Sequence, residues 1–210
     1  MKKGFKRITY LIIIVLMEIG FASCEKEREY IIIDGHEFVD LGLPSGLKWA
    51  TCNVGANSPE EYGNYYAWGE TEPKSEYTSA NYSFTYDEYF TIDSISGNPK
   101  YDVATNKWGS NCRMPSRKDF KELIDKCTWK LTTQNGVNGH SVIGPNGDSI
   151  FFPAAGYYYQ NPFPTSRGKT GWYWSSTYQL FYADYLCTSS DVSVYEIDRH
   201  CGLTVRPVSD

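Results

Sequence analysis

The chain has 210 residues, with 20 Lys or Arg against 25 Asp or Glu, a net charge of −5. An acidic surface repels nucleic-acid phosphates and anionic lipid headgroups, so both are excluded as direct charge-driven partners. With 18 Tyr, 6 Trp, 18 Gly and 10 Pro, the composition favours a turn-rich fold with little helix and suits a recognition surface.

The amino terminus has the pattern of a lipoprotein export signal. An apolar run over residues 8–17 leads through small residues to Cys24, and the cationic head before it consists of Lys2, Lys3, Lys6 and Arg7. The run is shorter than the roughly 20 apolar residues of a membrane-spanning helix. We predict that residues 1–23 are removed and that Cys24 is acylated, which would anchor the protein in the outer membrane or at the cell surface of a diderm bacterium. An ordinary cleaved signal, with Cys24 incidental, is the alternative.

The predicted mature chain begins with a charged tether over residues 24–35, and a single domain follows over residues 36–210. Its 16 Lys or Arg and 24 Asp or Glu give a net charge of −8, because the signal takes four basic residues and one acidic residue with it. Exported cysteines favour disulfides, although their spacing fixes no pairing. Five cysteines remain besides Cys24, namely Cys52, Cys112, Cys127, Cys187 and Cys201. No two of them have the C-x-x-C spacing that would support zinc binding or thioredoxin-type chemistry.

The first half of the domain alternates between strand patterns and a long polar segment. Residues 36–41 and 47–54 flank a turn and predict a hairpin, and residues 62–68 predict a short aromatic strand. Residues 70–107 are polar and interrupted by Pro and Gly, which indicates a long surface loop.

One helix is predicted after Pro115. Ser116 and Asp119 are spaced as a reciprocal amino-terminal cap. A buried stripe at helical spacing follows and is formed by Phe120, Leu123, Ile124 and Cys127.

The remaining chain is predicted to be strands and loops. Residues 140–143 and 149–152 flank a Pro-Asn-Gly-Asp turn and predict a hairpin. Four further short strands are predicted over residues 171–177, 183–188, 191–197 and 203–208.

Several motifs resemble the major paralogous domain family called FISUMP. The opening signature is residues 36–55 (HEFVDLGLPSGLKWATCNVG), and the closing one is residues 205–208 (VRPV). Between them lie YYAWGE at 65–70, RMPS at 113–116, PAAG at 153–156 and WSST at 174–177. The matches follow the family order over nearly the whole predicted domain.

The resemblance implies a C-type-lectin-like α+β fold, related to the formylglycine-generating enzyme, with small twisted antiparallel sheets, one clear short helix and long loops. It also implies an exported protein, often a lipoprotein, that binds or adheres and has no established enzymatic activity. Some related domains are targets of diversity-generating retroelements, which rewrite adenines in asparagine codons. Residues 180–201 resemble such a segment, because only Glu196 is unreachable by that rewriting; ordinary strand composition is the alternative.

The closing strands are the candidate contact face. Alternation places Asp191, Ser193, Tyr195 and Ile197 on one side of a strand and Val192 and Val194 on the core side. The strand ends add four more candidate ligand-binding residues, namely Tyr182, Asp184, Asp198 and His200. Solvated strand residues without a ligand are the alternative at each position.

Catalytic and metal-binding patterns are missing from the sequence. His36, His140 and His200 have no neighbour at metal-ligand spacing. Glu72-Pro73-Lys74 lacks the third oxygen ligand that a lectin-type calcium triplet needs. We therefore predict no enzyme, no catalytic residue, no metal and no cofactor.

The leading hypothesis is a membrane-anchored binding protein that captures a glycan or protein ligand. A structural or assembly lipoprotein of a cell-surface structure, without a free ligand, is the alternative.

Overall fold

Three small antiparallel sheets and two short helices form an α+β architecture in a computed structural model, which describes residues 30–84, 94–179 and 181–210. The first sheet has the order β1 (Ile31–Ile33), β2 (His36–Asp40), β3 (Lys48–Ala50), β10 (Val208–Ser209). The second contains β4 (Thr128–Gln134), β5 (Val137–Ile143) and β6 (Ser149–Pro153), and the third contains β7 (Gly171–Gln179), β8 (Tyr182–Thr188) and β9 (Ser193–Asp198). The helices are α1 (Val103–Trp108) and α2 (Arg117–Lys126). The predicted signal and Cys24 lie outside the described residues.

The two predicted hairpins and the predicted helix are confirmed. Strands β2 and β3 pair in antiparallel register, as do β5 and β6. The Ser116 hydroxyl accepts a hydrogen bond from the Asp119 N–H at 3.2 Å, and the Asp119 carboxylate accepts one from the Ser116 N–H at 2.7 Å. This reciprocal cap satisfies amides that have no partner inside α2. The predicted apolar stripe of α2 packs against the core.

The prediction of a surface loop over residues 70–107 holds only in part: most of its described residues lie in loops or turns, but several pack inward and its end forms α1. Tyr77, Tyr82 and Ile95 are buried, and α1 buries most of its side chains. The segment can turn inward because its buried carboxylates, those of Glu70 and Asp102, are hydrogen-bonded. The Asp102 carboxylate alone accepts hydrogen bonds from four backbone N–H groups, those of Gly97, Ala104, Thr105 and Met114.

The boundary of the predicted tether also changes. Strand β1 pairs with β2, and Ile31 and Ile33 pack against the core, so the fold begins before residue 36. At the other end, the predicted strand 203–208 is split. Leu203 and Thr204 form isolated bridges with Tyr66 and Tyr173, and only β10 joins a sheet.

The third sheet lies between two apolar cores, and this position defines the candidate site. Trp174 and Tyr185 belong to the first core, together with Trp68 and the carboxy-terminal segment. Tyr173 and Leu186 belong to the second core, with Trp49, Phe120 and Phe152. Strand β8 is therefore buried on both faces, while β9 forms the outer edge of the sheet. Within the described ranges, no helix is both long and apolar enough to span a bilayer.

Candidate ligand-binding surface

The register of the third sheet decides which side chains share a face. Tyr195 is opposite Tyr185, and Tyr185 is opposite Trp174. Val194 is opposite Leu186, which is opposite Tyr173. Directly opposed residues point to the same side of a sheet. The face that carries Tyr195 therefore continues into the first core, and the face that carries Val194 continues into the second.

Four aromatic rings, the aromatic stack, follow one another on the Tyr195 face; the first three are stacked, and the fourth, Tyr195, is tilted by 37° against Tyr185. Tyr157 stacks on Trp172 with ring centroids 4.0 Å apart, and Trp172 stacks on Tyr185 at 4.4 Å with the planes 8° apart. Tyr195 follows at 6.1 Å from Tyr185. Tyr185 is buried, whereas Tyr195 is 45% exposed. The stack thus runs from the half-buried rings of Tyr157 and Trp172 through buried Tyr185 to the edge strand β9.

Hydrogen bonds fix the Trp172 ring and the backbone of Tyr157. Trp172 Nε1 donates to the Thr170 hydroxyl at 2.8 Å. The backbone of Tyr157 exchanges two hydrogen bonds with Thr165, at 3.0 and 2.7 Å. Burial raises the pKa of Tyr157 and of Tyr185, so both phenols stay neutral at physiological pH. The stack therefore offers ring faces and neutral hydroxyl groups rather than charge.

The opposite face of the sheet carries an ion-pair cluster under α2. Arg117 Nη1 donates to Asp184 Oδ1 at 2.7 Å and lies 3.7 Å from Glu196 Oε1. Burial raises the pKa of Asp184, and the charge of Arg117 partly offsets this shift. The cluster joins α2 to β8 and β9, which is a structural role.

The predicted contact residues do not form one face. Ser193, Tyr195 and Ile197 share the face of the aromatic stack, and Val192 and Val194 pack against the second core, as the alternation predicts. By the same register, Tyr182, Asp184 and Asp198 lie on the α2 side of the sheet. Asp191 is exposed in the β8–β9 turn.

Two of the predicted contact residues are corrected, because they are buried. Asp184 lies on the central strand and is 0% exposed, and His200 is 3% exposed. The His200 ring stacks on Tyr159 at 5.7 Å, and burial lowers its pKa. Neither side chain is presented to a ligand, whereas Tyr182 and Tyr195 are exposed.

Sequence reasoning missed the inner members of the stack. Tyr157 and Trp172 lie outside the predicted strand 191–197. They are 15 positions apart in the chain, although their rings touch. The only local signal is two unbroken runs of three aromatic residues, at 157–159 and at 172–174. Strand pairing brings these segments together, which the sequence pattern does not specify.

The described cysteines are free thiols. All five described cysteines are free, so the expected disulfides do not occur among them. Cys112, Cys187 and Cys201 are buried in the first core, while Cys127 packs against the second. Burial raises the pKa of Cys187 and Cys201, which disfavours their reactive thiolate forms. In the described ranges, His, Cys, Asp and Glu side chains form no group suited to hold a metal ion.

Comparison of the chain with protein-family models, with curated proteins and with solved structures gave no match in any of the three.

Proposed function

We propose that this chain is an exported binding protein of the FISUMP type, lipid-anchored through Cys24 at the outer membrane or cell surface of a diderm bacterium. Its C-type-lectin-like domain would capture a glycan or protein ligand. The motifs from residue 36 to residue 208 support this assignment. The α+β architecture of small antiparallel sheets is compatible with it.

The observation that carries the proposal is the aromatic stack that ends at exposed Tyr195 on the edge strand β9. A neutral ring on a rigid support gives a large contact area at a low entropic cost. A sugar ring or an apolar protein side chain fits such a surface. The carboxylate of Asp191, exposed in the β8–β9 turn, opposes a polyanionic ligand.

Glycan and protein arrays probed with the purified full chain test the proposal. We expect Tyr195→Ala to weaken any specific hit by roughly tenfold or more, as loss of a central aromatic contact does. Its melting temperature should stay unchanged because the ring is exposed. Tyr30→Ala is the matched control, since Tyr30 is 44% exposed and directly precedes β1 of the first sheet, outside the aromatic stack. Equal affinity of wild type and Tyr195→Ala would reject the stack as the contact surface.

The lipid anchor is tested separately from ligand binding. Cys24→Ala should move the protein from the membrane fraction to the soluble fraction, because the acyl chains would supply the membrane contact. Protease treatment of intact cells then reports surface display. The alternative, a structural lipoprotein without a free ligand, predicts no array hit together with co-purification of a larger surface structure.

The retroelement hypothesis has its own test. A nearby second genomic copy of the codons for residues 171–208 that differs only at adenines, beside a reverse transcriptase, would support it. A locus without such a copy would reject diversification and leave the binding proposal intact.

A further inference from the structure

Strand β4 presents an unusually open edge. It pairs with β5 over seven residues, from Thr128 opposite Ile143 to Gln134 opposite Val137. It is a terminal strand of its sheet, and most of its residues are exposed. The Leu131 side chain, at the centre of the strand, is 75% exposed.

The turn of this hairpin fixes which backbone groups point outward. Asn135 and Gly136 form a two-residue loop with φ values of 47° and 82°, as a type I′ turn requires. Such a loop closes on a hydrogen-bonded pair, here Gln134 and Val137, and the pairs alternate from there along the ladder. Lys130 and Thr132 therefore direct their N–H and C=O groups toward β5. The alternate residues Trp129, Leu131 and Thr133 direct theirs away from it.

These outward groups have no partner among the described residues. In the ranges that the structure describes, no hydrogen bond reaches the backbone N–H or C=O of Trp129, Leu131 or Thr133 on that side. A row of unpaired donors and acceptors along an extended strand is a template for pairing with another strand.

We propose that β4 pairs with β4 of a second copy of this chain, antiparallel, about a two-fold axis at Leu131. In this register Leu131 meets Leu131 of the partner copy as a hydrogen-bonded pair. Trp129 meets Thr133 of the partner copy on each side of the axis. Three such pairs make six intermolecular hydrogen bonds and join the two three-stranded sheets into one of six strands.

The exposed Leu131 side chain favours a second copy as the occupant, because the two-fold axis places it against an identical apolar side chain. Lys130 is the only charged residue of β4, and this register places it opposite Thr132, so no like charges are directly opposed. The pairing also covers Leu131, because the two leucine side chains pack across the axis. The edge strand β9 differs, since it carries Glu196 and Asp198, and charged side chains protect an edge from pairing.

The dimer does not rest on the proposed function, but it would serve it. A two-fold axis at β4 would join two copies of the aromatic stack in one particle. Two linked sites raise the avidity for a multivalent surface without any new contact.

Sedimentation and amide hydrogen exchange of the purified full chain test the dimer. Between about 1 and 300 µM, which brackets a dissociation constant in the micromolar range, the mass should rise from monomer to dimer. The Leu131 and Thr133 amides should exchange roughly tenfold more slowly at the high end. Lys130 and Thr132 amides should be protected at every concentration, because β5 already binds them. A monomer throughout, with fast exchange at Leu131, overturns the proposal.

Charge substitutions at the axis make the test specific. Leu131→Lys and Leu131→Glu should each be monomeric, since each places two like charges on the axis, and a 1:1 mixture should dimerise. Phe163→Lys is the matched control, because Phe163 is also 75% exposed but lies in a loop, and it should dimerise like wild type. Dimerisation of Leu131→Lys alone, or failure of the mixture to dimerise, contradicts this register. The concentration dependence of the wild-type mass tests the dimer without any variant, so the test remains valid even if a Leu131 variant fails to fold.

Discussion

Arg206 Nε donates a hydrogen bond of 2.8 Å to Asn53 Oδ1, which is 153 positions away in the chain. The same guanidinium donates to the carbonyl groups of Ala50, Thr51 and Phe151 at 2.7 to 2.9 Å. It is fully buried, lies over the Phe152 ring, and forms no ion pair with any carboxylate that the structure describes. Backbone dipoles and an amide oxygen therefore take the place of a counter-ion and join three distant segments.

Arg206→Lys should destabilise the protein by about 3 kcal/mol. An ammonium group cannot reproduce the planar fork, so it leaves several buried oxygen atoms without donors. Urea unfolding measures the change. Arg167→Lys is the control at an exposed arginine, where we expect about 1 kcal/mol or less. A loss at position 206 no larger than that of the control would contradict this structural role.

Arg117→Met should cost about 2 kcal/mol, because it leaves the buried Asp184 carboxylate without its cation. We expect a smaller loss of stability than for a fully buried ion pair, since the Arg117 side chain is 30% exposed and water screens the charge. Adding Asp184→Asn should restore much of the loss. Chemical unfolding of the two single variants and the double variant gives the coupling.

The cost of Arg117→Met should also shrink at low pH. Burial raises the pKa of Asp184 above its unfolded value, and removal of Arg117 raises it further. The folded state then binds the proton more readily than the unfolded state, so the variant recovers stability as the pH falls through this raised pKa. A deficit that grows on acidification would contradict this argument.

His140 should make the protein sensitive to mild acid. It is buried, its Nδ1 has no hydrogen-bond partner in the described ranges, and burial lowers its pKa from 6.5. The unfolded state therefore takes up the proton first. Stability is lost as the pH falls below about 6.5, until the lowered folded pKa is passed. His140→Phe should show a shallower decline in melting temperature between about pH 7 and pH 5 than wild type. An identical slope would exclude this contribution.

Thiol labelling should discriminate among the five described cysteines. Cys52 is partly exposed and should react first with a thiolate-selective reagent at neutral pH. Burial raises the pKa of Cys112 and of Cys127 to about 11, which leaves almost no thiolate in the folded state. Peptide mapping after a short exposure identifies the labelled sites. Early modification of Cys112 would contradict this order, and labelling in denaturant is the control for complete access.

Local patterns predicted much of the secondary structure. The cap and stripe of α2 are encoded within twelve consecutive residues, and the turn before β6 lies between two clear strand patterns. The buried residues of the long segment after Gly69 could not be predicted, because they are few and far apart in the sequence. Tyr82, for example, is held by a hydrogen bond to the Trp68 carbonyl at 2.7 Å, which no periodicity marks.

By itself, the sequence determined the short-range features: strand alternation, the helix cap, the hairpin turns and the core side of Val192 and Val194. These depend on neighbours within a few positions. Tertiary structure alone decided that Tyr157, Trp172, Tyr185 and Tyr195 form one stack and that Asp184 is buried beneath Arg117. Both outcomes depend on strand order and register, which arise from long-range pairing rather than from local pattern.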